Sequence, residues 1–160
     1  MKHCLTIDSP EGPLTLVAKA GALCALRFSG STAEDGCPAA ADTVDGEVLE
    51  EARRQLTAYF AGRRQQFDLP LRPAGTPFQQ QVWAALQTIP YGATRTYGAV
   101  AAQIGRPKAS RAVGMANHVN PLPIVIPCHR VIGATGRLTG YAGGLERKER
   151  LLALERQPTV

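Results

Sequence analysis

The spacing of apolar residues changes along this chain, and that change constrains its fold more than any other feature. The early segments "HCLTIDS", "PLTLVAKA" and "LCALRFSG" alternate apolar and polar residues and are separated by "PEGP" and Gly21. A period of two with Pro/Gly turns predicts an antiparallel meander. "GEVLEEARRQLTAYFAG" then has helical spacing and ends at Gly62, and "RRQQFDLPLRPAG" predicts a last short strand and a linker. Residues 29–46 are expected to form a loop.

From Thr76 onward the pattern predicts short helices. Thr76 can cap a helix that has proline at its first position, and Thr96 can cap another that stops at Gly105. The turn "GRPK" leads to a helix from about residue 109 to 117, and a final helix spans 145–155. Two short helices joined by a Gly-containing turn are typical of a helix-turn-helix.

These elements predict an α+β protein with two domains. Residues 1–75 would form an amino-terminal domain with an antiparallel sheet, a helix and the linker. Residues 76–160 would form a mainly helical domain that contains the helix-turn-helix and the loop around Cys128.

Composition narrows the cellular setting. The 160-residue chain is 44% hydrophobic and 19% charged, and no apolar stretch reaches the roughly 20 residues that cross a bilayer. Its first residues, "MKHCLTIDSP", lack the hydrophobic core of a secretory signal. We therefore expect a cytoplasmic protein without membrane contact.

Charge is distributed unevenly between the two halves. Residues 1–90 hold eight Lys/Arg and ten Asp/Glu, a balance of −2, whereas residues 91–160 hold ten and three, a balance of +7. A basic second half indicates an anionic partner there, although a role in solubility alone stays open.

The cysteines predict neither a disulfide framework nor a four-cysteine zinc site. In a reducing compartment, Cys4, Cys24, Cys37 and Cys128 are expected to be free thiols, and no CxxC pair is present. A mixed metal site that uses His3, Cys4 and Cys24 is conceivable but lacks a nearby fourth ligand.

The segment "IVIPCHRVIG" places Cys128 between apolar runs and directly before histidine and arginine. A thiol attacks as thiolate, which a base or cation favours. Neighbouring side chains in an extended segment point to opposite faces, although a turn or a helix start would change that, so a water bridge between Cys128 and His129 could carry the proton instead. Its orienting acid could be Glu146, Glu149 or Glu155, and Glu149 is our choice. A buried, inert cysteine is the other interpretation.

The glycines after Cys128 allow two interpretations. They could be ordinary hairpin glycines, or they could let the backbone pass close to a flat ligand.

Longer segments carry a resemblance. "PCHRVIG", preceded by "RAVGMANHVNPLPIVI" and followed by "GRLTGYAGGLERKERLLALE", resembles the O6-alkylguanine-DNA alkyltransferases over about residues 76–155. "TIDSPEGPLTL", "YFAG" and "FDLPL" are similar to the amino-terminal domain of that family.

The resemblance implies direct, irreversible and stoichiometric repair of double-stranded DNA that contains O6-alkylguanine. Cys128 would accept the alkyl group, His129 would be the water-mediated base and Glu149 its acid. Tyr97 would donate to the departing guanine and contact the DNA backbone. O4-alkylthymine stays open as a second substrate.

The resemblance also implies how DNA is bound. Arg111 would fill the gap left by the flipped nucleotide, while the second motif helix enters the minor groove. Asn120 would hold the turn before the cysteine segment. Small residues would allow the helix to approach the groove: Ala109, Ser110, Ala112, Gly114 and Ala116. Tight helix packing is the other interpretation of these small residues. Other residues would line the guanine pocket: Pro123, Val131, Tyr141, Ala142 and Gly143.

Two departures from the family pattern matter. Ala142 stands where many relatives carry serine, so a hydroxyl contact is lost while the backbone amide remains. Some relatives bind a structural zinc through amino-terminal Cys and His residues, and we predict none here. The resemblance implies no cofactor and a protein that is monomeric alone, with cooperative assembly on DNA left open.

Two other function classes compete with the transferase. A cysteine hydrolase would need a histidine remote in sequence, and only His3 and His118 are available. A non-catalytic DNA-binding module would explain the helix-turn-helix and the basic half but would leave the Cys-His-Arg cluster without a role.

Overall fold

The computed structural model describes residues 2–28, 43–138, 141 and 143–156. It divides into two compact units, one covering residues 1–74 and the other covering residues 75–158. Each unit has its own secondary structure and core.

A three-stranded antiparallel sheet forms the base of the first unit. Strands β1 (Lys2–Ile7), β2 (Leu14–Lys19) and β3 (Ala22–Phe28) are hydrogen-bonded in that order. The register between β2 and β3 shifts at Val17/Ala18, a bulge that accompanies three consecutive buried residues, Leu16–Ala18. The predicted meander is confirmed.

Helix α1 (Val44–Phe60) packs against this sheet. It begins two residues earlier than predicted because the Thr43 hydroxyl accepts a 3.0 Å hydrogen bond from the Gly46 amide. The strand predicted after it is reduced to one bridge, in which Leu23 pairs with Leu71. Pro70 and Pro73 flank that point and have no amide proton for a longer ladder. Of the loop expected at 29–46, residues 29–42 lie outside the described residues.

The second unit begins with helix α2 (Pro77–Leu86), which has a full capping box between Thr76 and Gln79. Helices α3 (Tyr97–Gln103) and α4 (Ser110–His118) follow, and Thr96 caps α3 as predicted. The buried Trp83 indole donates a 2.9 Å hydrogen bond to the Ala116 carbonyl. This bond fixes α4 against α2.

Two short strands and a helix complete the unit. Strand β4 (Arg95–Thr96) pairs in parallel with β5 (Val131–Ile132), and a 3-10 turn (Cys128–Arg130) directly precedes β5. The pairing brings the start of α3 next to the segment that carries Cys128. Helix α5 (Leu145–Arg156) packs against the 3-10 turn.

The predicted α+β class is confirmed, since a small antiparallel sheet with one helix is followed by a mainly helical unit. None of the helices in the described ranges combines the length and the apolarity of a bilayer span.

Candidate active site

Cys128 lies in a tight turn that is closed to solvent. The Cys128 amide donates to the Ile126 carbonyl at 2.7 Å, and the Arg130 amide donates to the Pro127 carbonyl at 3.0 Å. Cys128 is 2% exposed and His129 is 0% exposed. The sequence "PCHR" thus forms one buried turn instead of an extended segment.

The Asn120 side chain holds the approach to this turn. Its Oδ1 accepts a 3.0 Å hydrogen bond from the Leu122 amide, and its Nδ2 donates to the Ile126 carbonyl at 2.8 Å. Between them, Ile124 has a φ of 74°, which costs a β-branched residue about 1–3 kcal/mol. The two Asn120 bonds bracket that strained residue.

The acid that contacts His129 is Glu155, so the choice of Glu149 is wrong. Glu155 Oε2 lies 2.6 Å from His129 Nε2, with both side chains fully buried. Glu149 is exposed.

Helix phase explains the correction. Successive residues of an α-helix are rotated by about 100°, so residues four and seven apart share a face. Glu155 shares the buried face of α5 with Lys148, Leu151 and Leu152, whereas Glu149 points about 100° away from Lys148. The apolar spacing of Leu151 and Leu152 was the sequence signal that could have selected Glu155.

Arg130 binds the same carboxylate. Its Nε donates to Glu155 Oε1 at 2.8 Å and its Nη2 donates to Oε2 at 3.0 Å, while its Nη1 donates to the Ile89 carbonyl at 2.7 Å. Burial raises the pKa of Glu155, but the hydrogen bonds from His129 and Arg130 outweigh it and lower that pKa to about 2. The carboxylate therefore stays ionised inside the protein.

The contact between Glu155 and His129 also determines which nitrogen of His129 carries the proton. A carboxylate only accepts hydrogen bonds, so Nε2 carries a proton and the lone pair of the neutral ring lies on Nδ1. Burial lowers the pKa of His129, the Glu155 contact opposes this, and the Arg130 and Lys148 charges lower it further. His129 is consequently neutral at pH 7, with Nδ1 as its basic atom.

The Cys128 thiol is protonated at neutral pH. Burial raises its pKa to about 11, and a hydrogen bond from Asn120 and the charge of Lys148 act in the opposite direction. The site does not hold a preformed thiolate, so the proton must leave during the reaction.

Lys148 is a site residue that the sequence analysis missed. It is 0% exposed, and its Nζ donates a 2.5 Å hydrogen bond to the Val131 carbonyl and lies 6.0 Å from the centre of the Tyr97 ring. Burial lowers its pKa to about 8, while Cys128 opposes that shift. A lysine three residues before Leu151 could have been placed on the buried face by the same phase argument.

The predicted DNA-contacting residues lie on α3 and α4, except Ala109, which is the N-cap of α4. Arg111 is exposed, while Ala109, Ser110 and Gly114 are partly buried. If Gly114 carried a Cβ atom, that atom would lie 3.9 Å from the Tyr97 ring, so Gly114 and Tyr97 are close neighbours. Tyr97 thus lies between the face of α4 and Lys148.

The predicted pocket residues are characterised by their burial and one hydrogen bond. Pro123, Val131 and Tyr141 are buried, and the Gly143 carbonyl accepts a 2.9 Å hydrogen bond from Arg147. Ala142 lies outside the described residues.

The amino-terminal cysteines differ from the expectation. Cys4 is disulfide-bonded, so the prediction of a free thiol is wrong there, whereas Cys24 and Cys128 are free. His3 Nδ1 lies 2.7 Å from Asp45 Oδ2, and Cys24 donates to the Val17 carbonyl. Within the described ranges, no group of three or more His, Cys, Asp or Glu side chains is arranged to hold a metal ion.

Comparison with protein families covers nearly the whole chain. The model described as "6-O-methylguanine DNA methyltransferase, DNA binding domain" matches residues 77–157, and its "ribonuclease-like domain" counterpart matches residues 2–73. The chain belongs to the 6-O-methylguanine DNA methyltransferase family. The resemblance seen in the sequence is confirmed.

Individual relatives agree with this membership. The methylated-DNA–protein-cysteine methyltransferase of Mycobacterium tuberculosis is 54% identical over 157 residues, which cover 98% of this chain and 93% of that protein. The protein of the same name from Methanosarcina acetivorans is 53% identical over 92% of this chain and 94% of its own. Both carry the enzyme class that the resemblance predicts.

Solved structures of the M. tuberculosis protein have the same fold. Its O6-methylguanine methyltransferase structure has a TM-score of 0.88 and 50% identity, covering 100% of this chain and 97% of that one. The crystal structure of M. tuberculosis OGT in complex with DNA has a TM-score of 0.86 and 54% identity, covering 96% and 92%.

The correction from Glu149 to Glu155 can be tested by paired substitutions. Glu155→Gln removes the charge that two buried partners share, and breaking such a pair costs about 3–5 kcal/mol. Glu149→Gln changes an exposed residue and should stay within about 0.5 kcal/mol of the unmodified protein. Urea unfolding measures both, and equal losses would contradict the assignment.

Acid should have a related effect on stability. The folded-state pKa of Glu155 is about 2 and lies below the ordinary carboxyl value of 4.5, so its contribution to stability is fully present above pH 4.5. It is lost as pH falls toward about 2. Glu155→Gln should therefore reduce the pH dependence of the unfolding free energy over this range, and an unchanged pH dependence would contradict the low pKa.

Proposed function

We propose that this protein repairs DNA by moving the alkyl group from O6 of guanine to Sγ of Cys128, irreversibly and once per molecule. The observation that carries the proposal is the buried series Cys128, His129 and Glu155, in which a thiol neighbours a neutral imidazole held by an ionised carboxylate. The names of the relatives and the DNA complex of the M. tuberculosis protein support it.

Flipping of the damaged nucleotide precedes the chemistry. A thiolate cannot make an in-line attack on a methyl group while the base is stacked in the duplex. Flipping the nucleotide out of the stack costs about a few kcal/mol. The exposed Arg111 on α4 fills the gap, and the small residues Ala109, Ser110 and Gly114 allow α4 to enter the minor groove. Flipping then brings the guanine to the pocket formed by Pro123, Val131 and Tyr141.

The transfer exchanges one proton and one alkyl group. The thiol proton leaves Cys128 for a water, and that water protonates His129 Nδ1, while Nε2–H stays bonded to Glu155. The sulfur attacks the alkyl carbon, a C–S bond forms and the bond from carbon to O6 breaks. The guanine leaves with the electron pair of that bond, and Tyr97 donates a hydrogen bond to it. The Lys148 charge stabilises the thiolate during attack.

The product explains the single turnover. A thioether has no proton to lose and no leaving group that these side chains could activate, so Cys128 stays alkylated. The reaction as written requires no cofactor. We assign recognition and transfer to residues 76–160 and a structural role to residues 1–75.

Lys148 should give the reaction a measurable pH dependence. Its pKa is about 8, so the ammonium is present below that pH and is lost as pH rises through it. Single-turnover methyl transfer at saturating DNA should therefore fall above pH 8. We expect Lys148→Met to lose about tenfold at neutral pH, which corresponds to about 1.4 kcal/mol.

Arg150→Met is the matched control, because it removes an exposed cation from the same helix. It should retain both the rate and the decline above pH 8. If Lys148→Met behaves like Arg150→Met, Lys148 does not assist the transfer.

Intact mass spectrometry tests the proposed function. Incubation with a duplex that carries one O6-methylguanine should add a single methyl group, which peptide mapping should place on Cys128. Cys24→Ser, which replaces the other free cysteine of the described ranges, should react equally. Tight binding without a mass change would indicate a lesion-binding protein, and multiple turnovers without a stable adduct would indicate a hydrolase. A duplex with O4-methylthymine measures the second substrate in the same way.

A further inference from the structure

Two buried side-chain atoms near Cys128 have unused hydrogen-bonding capacity. His129 Nδ1 and Asn117 Oδ1 are both inaccessible to solvent and find no hydrogen-bond partner among the residues that the structure describes. Leaving a buried polar group unpaired costs about 1–3 kcal/mol. Ordered water is the usual partner for such groups, and a buried water typically makes about three hydrogen bonds.

Asn117 is held at the same turn as His129. It lies on α4, is 2% exposed, and its Nδ2 donates to the Cys128 carbonyl at 3.3 Å. That carbonyl belongs to the peptide bond that joins Cys128 to His129. The amide oxygen of Asn117 and the imidazole of His129 therefore belong to groups anchored on consecutive residues of one turn.

Both unpaired atoms are acceptors. Asn117 uses Nδ2 as a donor, which leaves Oδ1 as its free atom, and the carboxylate of Glu155 places the His129 lone pair on Nδ1. A single water has two O–H donors and can also accept a hydrogen bond. It can donate one hydrogen bond to each of the two atoms and still accept the Cys128 thiol proton.

We propose that Asn117 is a positioning residue that, together with His129 Nδ1, holds the water through which Cys128 passes its proton. The inference rests on the proposed function and adds to it a side chain from the DNA-binding helix. The S–H proton moves to the water oxygen while one water proton moves to Nδ1. The other water proton stays hydrogen-bonded to Asn117 Oδ1. Since the water gains one proton and loses one, it is regenerated.

This role connects DNA binding with proton transfer. Arg111 and Asn117 lie on the same nine-residue helix, one exposed and the other buried. A shift of α4 on the DNA would change the position of the water relative to Cys128. A purely structural Asn117 would only fix the Cys128 carbonyl.

The pH profile of methyl transfer separates these two roles. The charged groups at the His129 side of the turn are Arg130, and Lys148 and Glu155 on α5, and the neutral phenol of Tyr97 from α3 lies on the Lys148 side. With the water in place, the single-turnover rate should be level near neutral pH and should decline as Lys148 loses its proton. Without it, Cys128 must lose its proton to the solvent, so the rate should follow its thiolate fraction.

Asn117→Leu removes the C=O and the NH2 of the side-chain amide and leaves a side chain of similar size. We expect a loss of about 10²-fold at neutral pH, the lower range for general-base catalysis, with DNA affinity retained. The rate of the variant should then rise about tenfold per pH unit, as the thiolate fraction of a high-pKa thiol does. A loss by the same factor at every pH, or no loss, would overturn the proposal.

A high-resolution crystal structure of the unmodified protein gives a second test that needs no variant. One water within hydrogen-bond distance of both Asn117 Oδ1 and His129 Nδ1 would support the proposal, and separate waters or a direct protein contact would overturn it. This result is independent of methyl transfer. If the unmodified protein gains no methyl group, the proposed function is wrong. If the protein is methylated but its crystal structure lacks the shared water, only the role of Asn117 is wrong.

Discussion

The Glu155 carboxylate, buried and shared by His129 and Arg130, is the interaction on which the rest of the site depends. An ionised carboxylate in a protein interior is costly unless cations and donors surround it. Here two neighbouring residues of one turn supply them, at 2.6 Å from His129 and 2.8 Å from Arg130. This explains why an arginine directly follows the Cys-His pair. It neutralises the acid that orients the base and anchors the turn to the Ile89 carbonyl.

A consequence is that the nucleophile is inactive at rest. Burial keeps the Cys128 thiol protonated and His129 neutral, so the site has a base and an acid but no separated charges. The proposed transfer therefore requires that the thiol proton moves when an alkyl group is present. If Cys128 reacts only once, as we propose, a protonated resting state limits its loss to other electrophiles, because the thiolate is the reactive form.

The sequence predicted the elements that depend on local chemistry. Thr76 and Thr96 cap their helices because a hydroxyl can accept from an amide three residues later, and neighbouring residues alone determine that geometry. Strands β4 and β5 could not be predicted, since each is two residues long and is defined by pairing with a distant segment. The short strand expected near Leu71 was limited by its flanking prolines.

Only part of the site was predicted, again because some of its residues are determined by contacts between distant segments. The composition of "PCHR" pointed to Cys128 and His129, but the acid depends on which face of α5 is buried. Glu149 was selected by its position in the first turns of the helix, while the packing of Leu151 and Leu152 turns Glu155 and Lys148 inward. A buried lysine is also hard to predict, because lysine is almost never fully buried without a partner. Its partners, the Val131 carbonyl and the Tyr97 ring, come from distant parts of the unit.

The most direct test of this account is the ultraviolet thiolate absorbance of Cys128, measured as the difference between the unmodified protein and Cys128→Ser during a pH titration. Because burial keeps the thiol protonated, no Cys128-dependent thiolate signal is expected at neutral pH, and the thiol should titrate with a pKa of about 11. A full Cys128-dependent signal at neutral pH would show a preformed thiolate and would contradict the proton transfer to His129 on which the mechanism rests.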